Sequence, residues 1–177
     1  YVNDAGNQIE KFGKSLNLRF MQICNGKGQA VIEKCSGNIQ DICETIYNDT
    51  ENFPMPEDVY LGMDIIEHAY NYFKENGSSL SSENEDIRKK TLTDFALPKN
   101  IAGLERDLAK YRITYDNWFK ESTLHNDGSV NEIIQKLKAS GYTYEQDGAL
   151  WFKSSQLGDE KDRVLIRANG VVTYFVP

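Results

Sequence analysis

The spacing of hydrophobic residues changes along the chain: it follows a period of three to four through the first two thirds and becomes shorter and alternating in the last third. A period near 3.6 is typical of an amphipathic helix with one buried face. The first such stretch predicts a helix that begins near Ala5 and is capped by Asn3 or Asp4. Its apolar positions are Ile9, Phe12, Leu16 and Phe20.

Four further helical stretches are predicted. Residues 57–76 predict a helix that stops at Gly77, and residues 85–96 predict another that ends before Pro98, because proline removes a backbone donor. A separate helix is expected after that proline, and a short one is expected earlier in the chain. Their apolar positions are Ile101, Leu104, Leu108 and Tyr111 for the later helix, and Ile39, Ile42, Cys43 and Ile46 for the earlier one.

The last third predicts one helix and two hairpins. Ser129 and Glu132 have the spacing of a capping box, in which the serine precedes the helix and the glutamate lies in its first turn. Residues 142–153 and 163–176 predict hairpins that turn at Asp147-Gly148 and Asn169-Gly170, dipeptides that suit type I′ turns. The expected fold class is therefore α+β, a helical segment followed by antiparallel β-hairpins.

Composition excludes several classes of protein. The chain has 20 basic and 27 acidic residues and a net charge of −7, the wrong sign for a free-standing nucleic-acid-binding module. No apolar run approaches the ~20 residues of a membrane span. Cys24, Cys35 and Cys43 are expected to be reduced thiols, and neither they nor His68 and His125 show the spacing of metal ligands. We expect no metal site.

Several motifs resemble bacterial arginyl-tRNA synthetases of class I. Residues 1–9 read YVNDAGNQI, and residues 173–177 read TYFVP, which is similar to the strand that carries the arginine-binding tyrosine of that family. Residues 115–119, 147–152 and 161–164 recur in the family's order, whereas residues 26–56 show no match. The resemblance implies an internal fragment of the catalytic domain, because the family's HIGH and KMSKS signatures for ATP are absent.

The same resemblance implies a domain organisation. In the family a Rossmann-type α/β catalytic domain is split by an inserted connective region, and most of this chain would be that insertion. We expect residues 1–25 to include an edge of the nucleotide fold, residues 26–56 to be an atypical insertion, and residues 57–112 to be the helical part of the connective region. Residues 113–177 would lead back into the catalytic fold.

The candidate site residues follow from the motifs. Tyr174 matches the tyrosine that binds arginine in the family, although an aromatic residue in a strand that packs on a cross-strand neighbour is the alternative. Asn3, Asp4 and Gln8 fall where an open α/β sheet binds ligands, so they are candidates for an active-site rim. Asp4 as a helix cap and Gln8 as a backbone partner are the alternatives. No catalytic residue is assigned.

The parent reaction that the resemblance implies is ATP-dependent activation of arginine and its esterification to tRNA(Arg). ATP with Mg²⁺ would be bound outside this chain, so the fragment alone is expected to bind no cofactor, to be inactive and monomeric, and to come from a cytoplasmic protein with no membrane contact. The rival interpretations are a non-enzymatic helical and hairpin module that binds a protein partner, and another class I synthetase. Lys161, Asp162 and Arg163 are expected to form solvated ion pairs.

Overall fold

A computed structural model describes all 177 residues, and the chain divides into two compact units. The helical unit is the continuous stretch Asn7–Thr114. The second unit, which we call the split unit, is made of two separate stretches, Tyr1–Gly6 and Tyr115–Pro177. The predicted α+β class is confirmed, since seven α-helices are followed by a three-stranded antiparallel sheet.

The helical unit is built around its first helix. The helices are α1 (Asn7–Cys24), α2 (Gly26–Lys34), α3 (Ile39–Asn48), α4 (Met63–Asn76) and α5 (Glu85–Lys110), with a short 3₁₀ helix at Ser79–Ser82. Leu16, Phe20 and Ile23 of α1 are completely buried, as the periodicity predicts. Because α1 contacts α2, α4 and α5, its buried face organises one continuous core.

Residues 26–56 are well integrated into that core. The predicted short helix is confirmed as α3, and Ile42, Cys43 and Ile46 form its buried face. The less readable stretch before it forms α2, which Asn25 caps by accepting a hydrogen bond from the Gly28 N–H at 3.0 Å. The origin of these residues as an insertion into the family pattern stays a prediction.

Two helix boundaries differ from the predictions. The first helix begins at Asn7 rather than Ala5, because Gly6 has a φ of 77° and interrupts the helical backbone. The fourth helix begins at Met63 rather than residue 57, and the preceding segment instead packs on α1, where the Tyr60 N–H donates to Ser15 Oγ at 2.9 Å. The predicted stop at Gly77 is confirmed by its φ of 75°.

The prediction that Pro98 ends a helix is wrong, because α5 continues through it to Lys110 and includes the stretch predicted as a separate helix. A proline inside a helix removes one backbone hydrogen bond, at a cost of about 3 kcal/mol. Pro98 and Asp94, the residue one turn earlier, are both exposed, so water can replace the missing donor. Leu92 and Ala96 hold this part of α5 in the core.

The split unit places two short helices beside a small sheet. Its helices are α6 (Glu121–Asn126) and α7 (Ser129–Ala139), and its strands are β1 (Thr143–Gln146), β2 (Ala149–Phe152) and β3 (Arg163–Ile166), in the order β1-β2-β3. The core of this unit consists of Val130, Ile134, Leu150 and Leu165.

The two predicted hairpin turns have different outcomes. Asp147 and Gly148 have φ values of 52° and 75°, which confirms a type I′ turn between β1 and β2. In the second turn only Gly170 has a positive φ, and the Arg167 N–H donates to the Val171 carbonyl at 2.9 Å across a three-residue loop. The type I′ prediction is wrong there, and the return arm forms an isolated bridge with β3, between Ile166 and Val172, rather than a full strand.

The predicted capping box at Ser129 is also wrong. The residue before α7 is Gly128, which has a φ of 87° and no side chain with which to cap. Asp127 takes over part of that role, because its Oδ1 accepts a hydrogen bond from the Ser129 N–H at 2.9 Å. Glu132 pairs instead with Lys136 at 2.6 Å.

We expect Gly28→Ala to lower the free energy of unfolding by about 1–3 kcal/mol, the range for overpacked sites. A Cβ at Gly28 would lie 2.2 Å from the Gln22 carbonyl oxygen and 2.7 Å from Ile23 Cα, which are backbone atoms that cannot swing away. The matched control is Gly26→Ala in the same helix, where a Cβ meets no atom within 4 Å. Urea denaturation followed by circular dichroism should separate the two variants, and equal stabilities would contradict the proposed close approach.

Candidate functional site

The first residues of the chain pair with a segment far away in sequence. The Val2 N–H donates to the Phe119 carbonyl at 2.7 Å, and the Glu121 N–H donates to the Val2 carbonyl at 3.0 Å. This pairing is a parallel bridge between Val2 and Lys120. It brings the first four residues of the opening motif beside the N-terminus of α6, both within the split unit.

Asp4 caps α6 rather than its own helix. Its Oδ1 accepts from the Ser122 N–H at 2.8 Å, and its Oδ2 accepts from Ser122 Oγ at 2.7 Å. Lys120, the residue before α6, supplies no side-chain cap, so a carboxylate from 118 residues away takes that place. A negative charge is also favoured at a helix N-terminus. Asp4 is therefore a helix cap, as the alternative interpretation held, but it caps α6 and not the first helix, which the sequence predicted.

An aromatic and acidic cluster surrounds this contact. The Tyr1 ring stacks on Phe119 with centroids 5.9 Å apart, and Glu121 is only 9% exposed. Local desolvation raises the pKa of the Tyr1 hydroxyl, and the Glu121 carboxylate that accepts its hydrogen bond raises it further. His125 Nε2 lies 3.6 Å from Glu121 Oε1. These side chains join the first residues of the chain to α6.

The remaining rim candidates belong to different units. Asn3 is exposed and lies in the split unit, between the paired Val2 and the capping Asp4. Gln8 is exposed in the first turn of α1 and therefore belongs to the helical unit. The assignment of Asn3, Asp4 and Gln8 to an active-site rim stays a prediction.

Tyr174 presents its side chain to solvent. The residue is 86% exposed. The segment before it is anchored, because the Thr173 N–H donates to the Leu165 carbonyl at 2.9 Å and Thr173 Oγ1 donates to the Val164 carbonyl at 2.6 Å. Such exposure does not fit the alternative in which Tyr174 is a packed strand residue. Its role toward arginine stays a prediction.

The charged run at residues 161–163 does more than form solvated ion pairs, because Asp162 holds a loop together. Asp162 accepts hydrogen bonds from the Ser155 N–H at 3.1 Å, from Ser155 Oγ at 2.6 Å and from the Tyr144 hydroxyl at 3.0 Å. The bonds from Ser155 lower the pKa of the Asp162 carboxyl. Arg163 does form an ion pair, with both of its contacts to Asp159 at 2.6 and 2.7 Å.

The cysteines are free thiols. Burial raises the pKa of Cys24 to about 11, and the pKa of Cys43 to about 11 as well. Both therefore stay protonated at neutral pH, a poor state for a nucleophile or a metal ligand. No group of three or more His, Cys, Asp or Glu residues is arranged to hold a metal ion. No helix has the length and apolar character needed to span a membrane.

Several known proteins and a solved structure are similar to this chain, although no protein-family model matches it. An arginine–tRNA ligase from Acetivibrio thermocellus is 45% identical over 175 residues, and one from Ruminiclostridium cellulolyticum is 44% identical over 174 residues. These alignments cover 99% and 98% of this chain and 27% of each relative. A crystal structure assigned as an arginyl-tRNA synthetase from Campylobacter jejuni matches 99% of this chain and 33% of its own, with a TM-score of 0.67 and 33% identity.

These matches show that the chain is similar to one region of aminoacyl-tRNA synthetases. Specifically, the chain is homologous to part of the arginine–tRNA ligases, and the resemblance drawn from its motifs is confirmed. The chain spans about 27% of the length of the curated relatives that it matches.

Sequence reasoning missed the residues that hold this site together. Ser122 and Glu121 carry no motif of their own, and their partners Asp4 and Tyr1 lie more than a hundred positions away. The one available signal was the absence of a good capping residue before α6, since Lys120 cannot accept a hydrogen bond with its side chain. That signal indicates that a cap comes from elsewhere, without showing from where.

A double-mutant cycle of Asp4→Ala and Ser122→Ala should give a coupling free energy of roughly 1–3 kcal/mol, because each hydrogen bond to a charged group contributes about that much. Asp127→Ala with Ser122→Ala is the control pair, since Asp127 bonds Ser129 and not Ser122. Denaturant unfolding monitored by Trp fluorescence reports on the split unit, which contains both tryptophans, Trp118 and Trp151. Additive effects of Asp4→Ala and Ser122→Ala would show that the contact does not stabilise the unit.

Proposed function

We propose that this chain is part of an arginine–tRNA ligase that activates arginine with ATP and esterifies it to tRNA(Arg). The observation that carries the proposal is homology to such ligases along practically the whole chain, at up to 45% identity. The proposed parent protein is cytoplasmic, and this region makes no membrane contact and is monomeric by itself.

The arrangement of the units supports an inserted connective region. The helical unit is one continuous stretch, Asn7–Thr114, and both flanking stretches belong to the split unit. A domain inserted into another domain produces this pattern. The bridge between Val2 and Lys120 is parallel, and parallel pairing requires a long crossover between the two segments, as in α/β sheets. In this proposal those two segments belong to the edge of the Rossmann-type fold.

The proposed substrate contact is the exposed hydroxyl of Tyr174. A phenol oxygen can accept a hydrogen bond from the guanidinium of arginine, and Tyr174 is 86% exposed. Asn3 and Gln8 remain rim candidates. Asp4 has both carboxylate oxygens engaged by Ser122, so we assign it a positioning role for the N-terminus of α6.

The remaining chemistry belongs to segments outside this sequence. The ATP signatures are absent from it, so ATP with Mg²⁺ is proposed to bind elsewhere in the parent enzyme, and this region alone is expected to be inactive. Its contribution is to position arginine, and positioning is a large part of catalysis when two substrates must meet. With a net charge of −7, its own affinity for tRNA is expected to be weak and strongly salt-dependent.

A protein-interaction module remains the second candidate because of one surface. The C-terminal half of α5 contributes no buried residue after Ala96, and Leu104 and Tyr111 are 56% and 79% exposed. Exposed apolar side chains on one element are common at protein interfaces.

A chimeric enzyme tests the proposal. Residues 1–177 would replace the homologous region of the Acetivibrio thermocellus ligase, and we expect the chimera to retain arginine-dependent pyrophosphate exchange and tRNA charging. Tyr174→Phe should then raise KM for arginine several-fold or more and leave KM for ATP nearly unchanged, because one hydrogen bond to a charged group is lost.

The control for this experiment is Tyr111→Phe, which removes an equally exposed hydroxyl from the helical unit. It should leave the kinetics for both substrates unchanged. A folded chimera that never charges tRNA would contradict the proposed function. An active chimera in which Tyr174→Phe behaves like Tyr111→Phe would contradict the assignment of Tyr174 alone.

A further inference from the structure

A buried arginine in the helical unit lacks an acidic partner. Arg19 of α1 is only 3% exposed, and it forms no salt bridge with a carboxylate. Its Nη1 donates to Gln22 Oε1 at 2.8 Å and to the Phe53 carbonyl at 3.2 Å, whereas its buried Nε has no partner. Burial lowers the pKa of Arg19, but an arginine guanidinium still remains charged in proteins. An unpaired buried cation is costly and is stabilised by an incoming anion.

Arg19 lines a cleft of about 430 Å³ in the helical unit. This volume falls within the ~300–1,000 Å³ typical of small-molecule sites. None of the lining residues is acidic, and Asp49 nearby uses its carboxylate to accept two hydrogen bonds from Asn52. The lining residues besides Arg19 are Tyr47, Asn48, Thr50, Phe53, Pro54, Met55 and Leu61. The cleft therefore carries one positive charge and a mainly apolar wall.

The lining chemistry matches the parts of a nucleotide. The Tyr47 ring is 44% exposed and offers a face on which a base can stack. The Asn48 amide has a donor and an acceptor, which can pair with the edge of an adenine. Arg19 supplies the positive charge that a phosphate requires. Proteins recognise unpaired RNA bases by this combination of stacking and edge contacts.

We propose that the Arg19 cleft binds one unstacked nucleotide of an RNA, with the base on Tyr47, its edge toward Asn48 and the phosphate toward Arg19. The choice of a nucleotide over other organic anions rests on the proposed function, in which the parent enzyme handles tRNA. The cleft is separate from the candidate arginine contact, because Tyr174 belongs to the split unit.

The test is a titration of the 177-residue chain with 5′-AMP, followed by the NMR shifts of the backbone amides of residues 47–53 and of Met55. We expect saturable, weak binding that is tighter than that of adenosine or of 4-phenylbutyrate. Tyr47→Ala should weaken AMP binding by about 5-fold or more, the effect of losing one base stack. Tyr111→Ala, which removes another exposed tyrosine, should leave the affinity unchanged.

Arg19 is buried, so Arg19→Gln can unfold the protein, and Asn48→Ala provides a second variant on the surface. Asn48→Ala should reduce the preference for 5′-AMP over 5′-UMP. The proposal is overturned if AMP causes no saturable shifts, if Tyr47→Ala binds AMP normally, or if 4-phenylbutyrate binds as well as AMP. Failure of AMP binding alongside an active chimeric ligase would overturn this inference and leave the proposed function intact.

Discussion

The pairing of Val2 with Lys120 is the constraint on which the architecture depends. It joins the two separate stretches of the split unit, so the chain leaves this unit after Gly6 and returns to it at Tyr115. Two backbone hydrogen bonds would hold such a long crossover only weakly. The double contact between Asp4 and Ser122 reinforces them with a charge-assisted pair directly beside the bridge.

The helical unit has a large core of its own. Its buried cluster draws on every helix from α1 to α5 except α2, which packs against the cluster through Val31 and Ile32. The split unit has a smaller core, a cluster of four buried residues in its helix and sheet, and it relies more on polar contacts such as those of Asp162. Its polar loops are therefore structural elements, and substitutions there are expected to act on stability as well as on any site.

The parts of the fold that sequence predicts well are those with local causes. The apolar period of α1 and the positive φ angles of Asp147 and Gly148 depend on residues within a few positions of each other. The wrong predictions concern residues whose structure depends on contacts with distant parts of the chain. Pro98 remains inside α5 because Leu92 and Ala96 pack on the core. Asp4 caps α6 through Ser122, and not the first helix, because the bridge brings Asp4 and Ser122 together. The identity of the family was accessible from motifs, whereas Arg19 and its cleft carried no motif.

Native-state hydrogen exchange measures the central claim most directly, because it follows the two units separately in one molecule. In the Asp4→Ala variant, the account predicts faster exchange at the amides of Val2, Glu121 and Ser122, with no change at Ile23, Ile46 and Ile66 in the helical core. That result would show that the terminal pairing belongs to the split unit and that the helical unit is stable independently. Faster exchange at both sets of amides, or at neither set, would contradict the account.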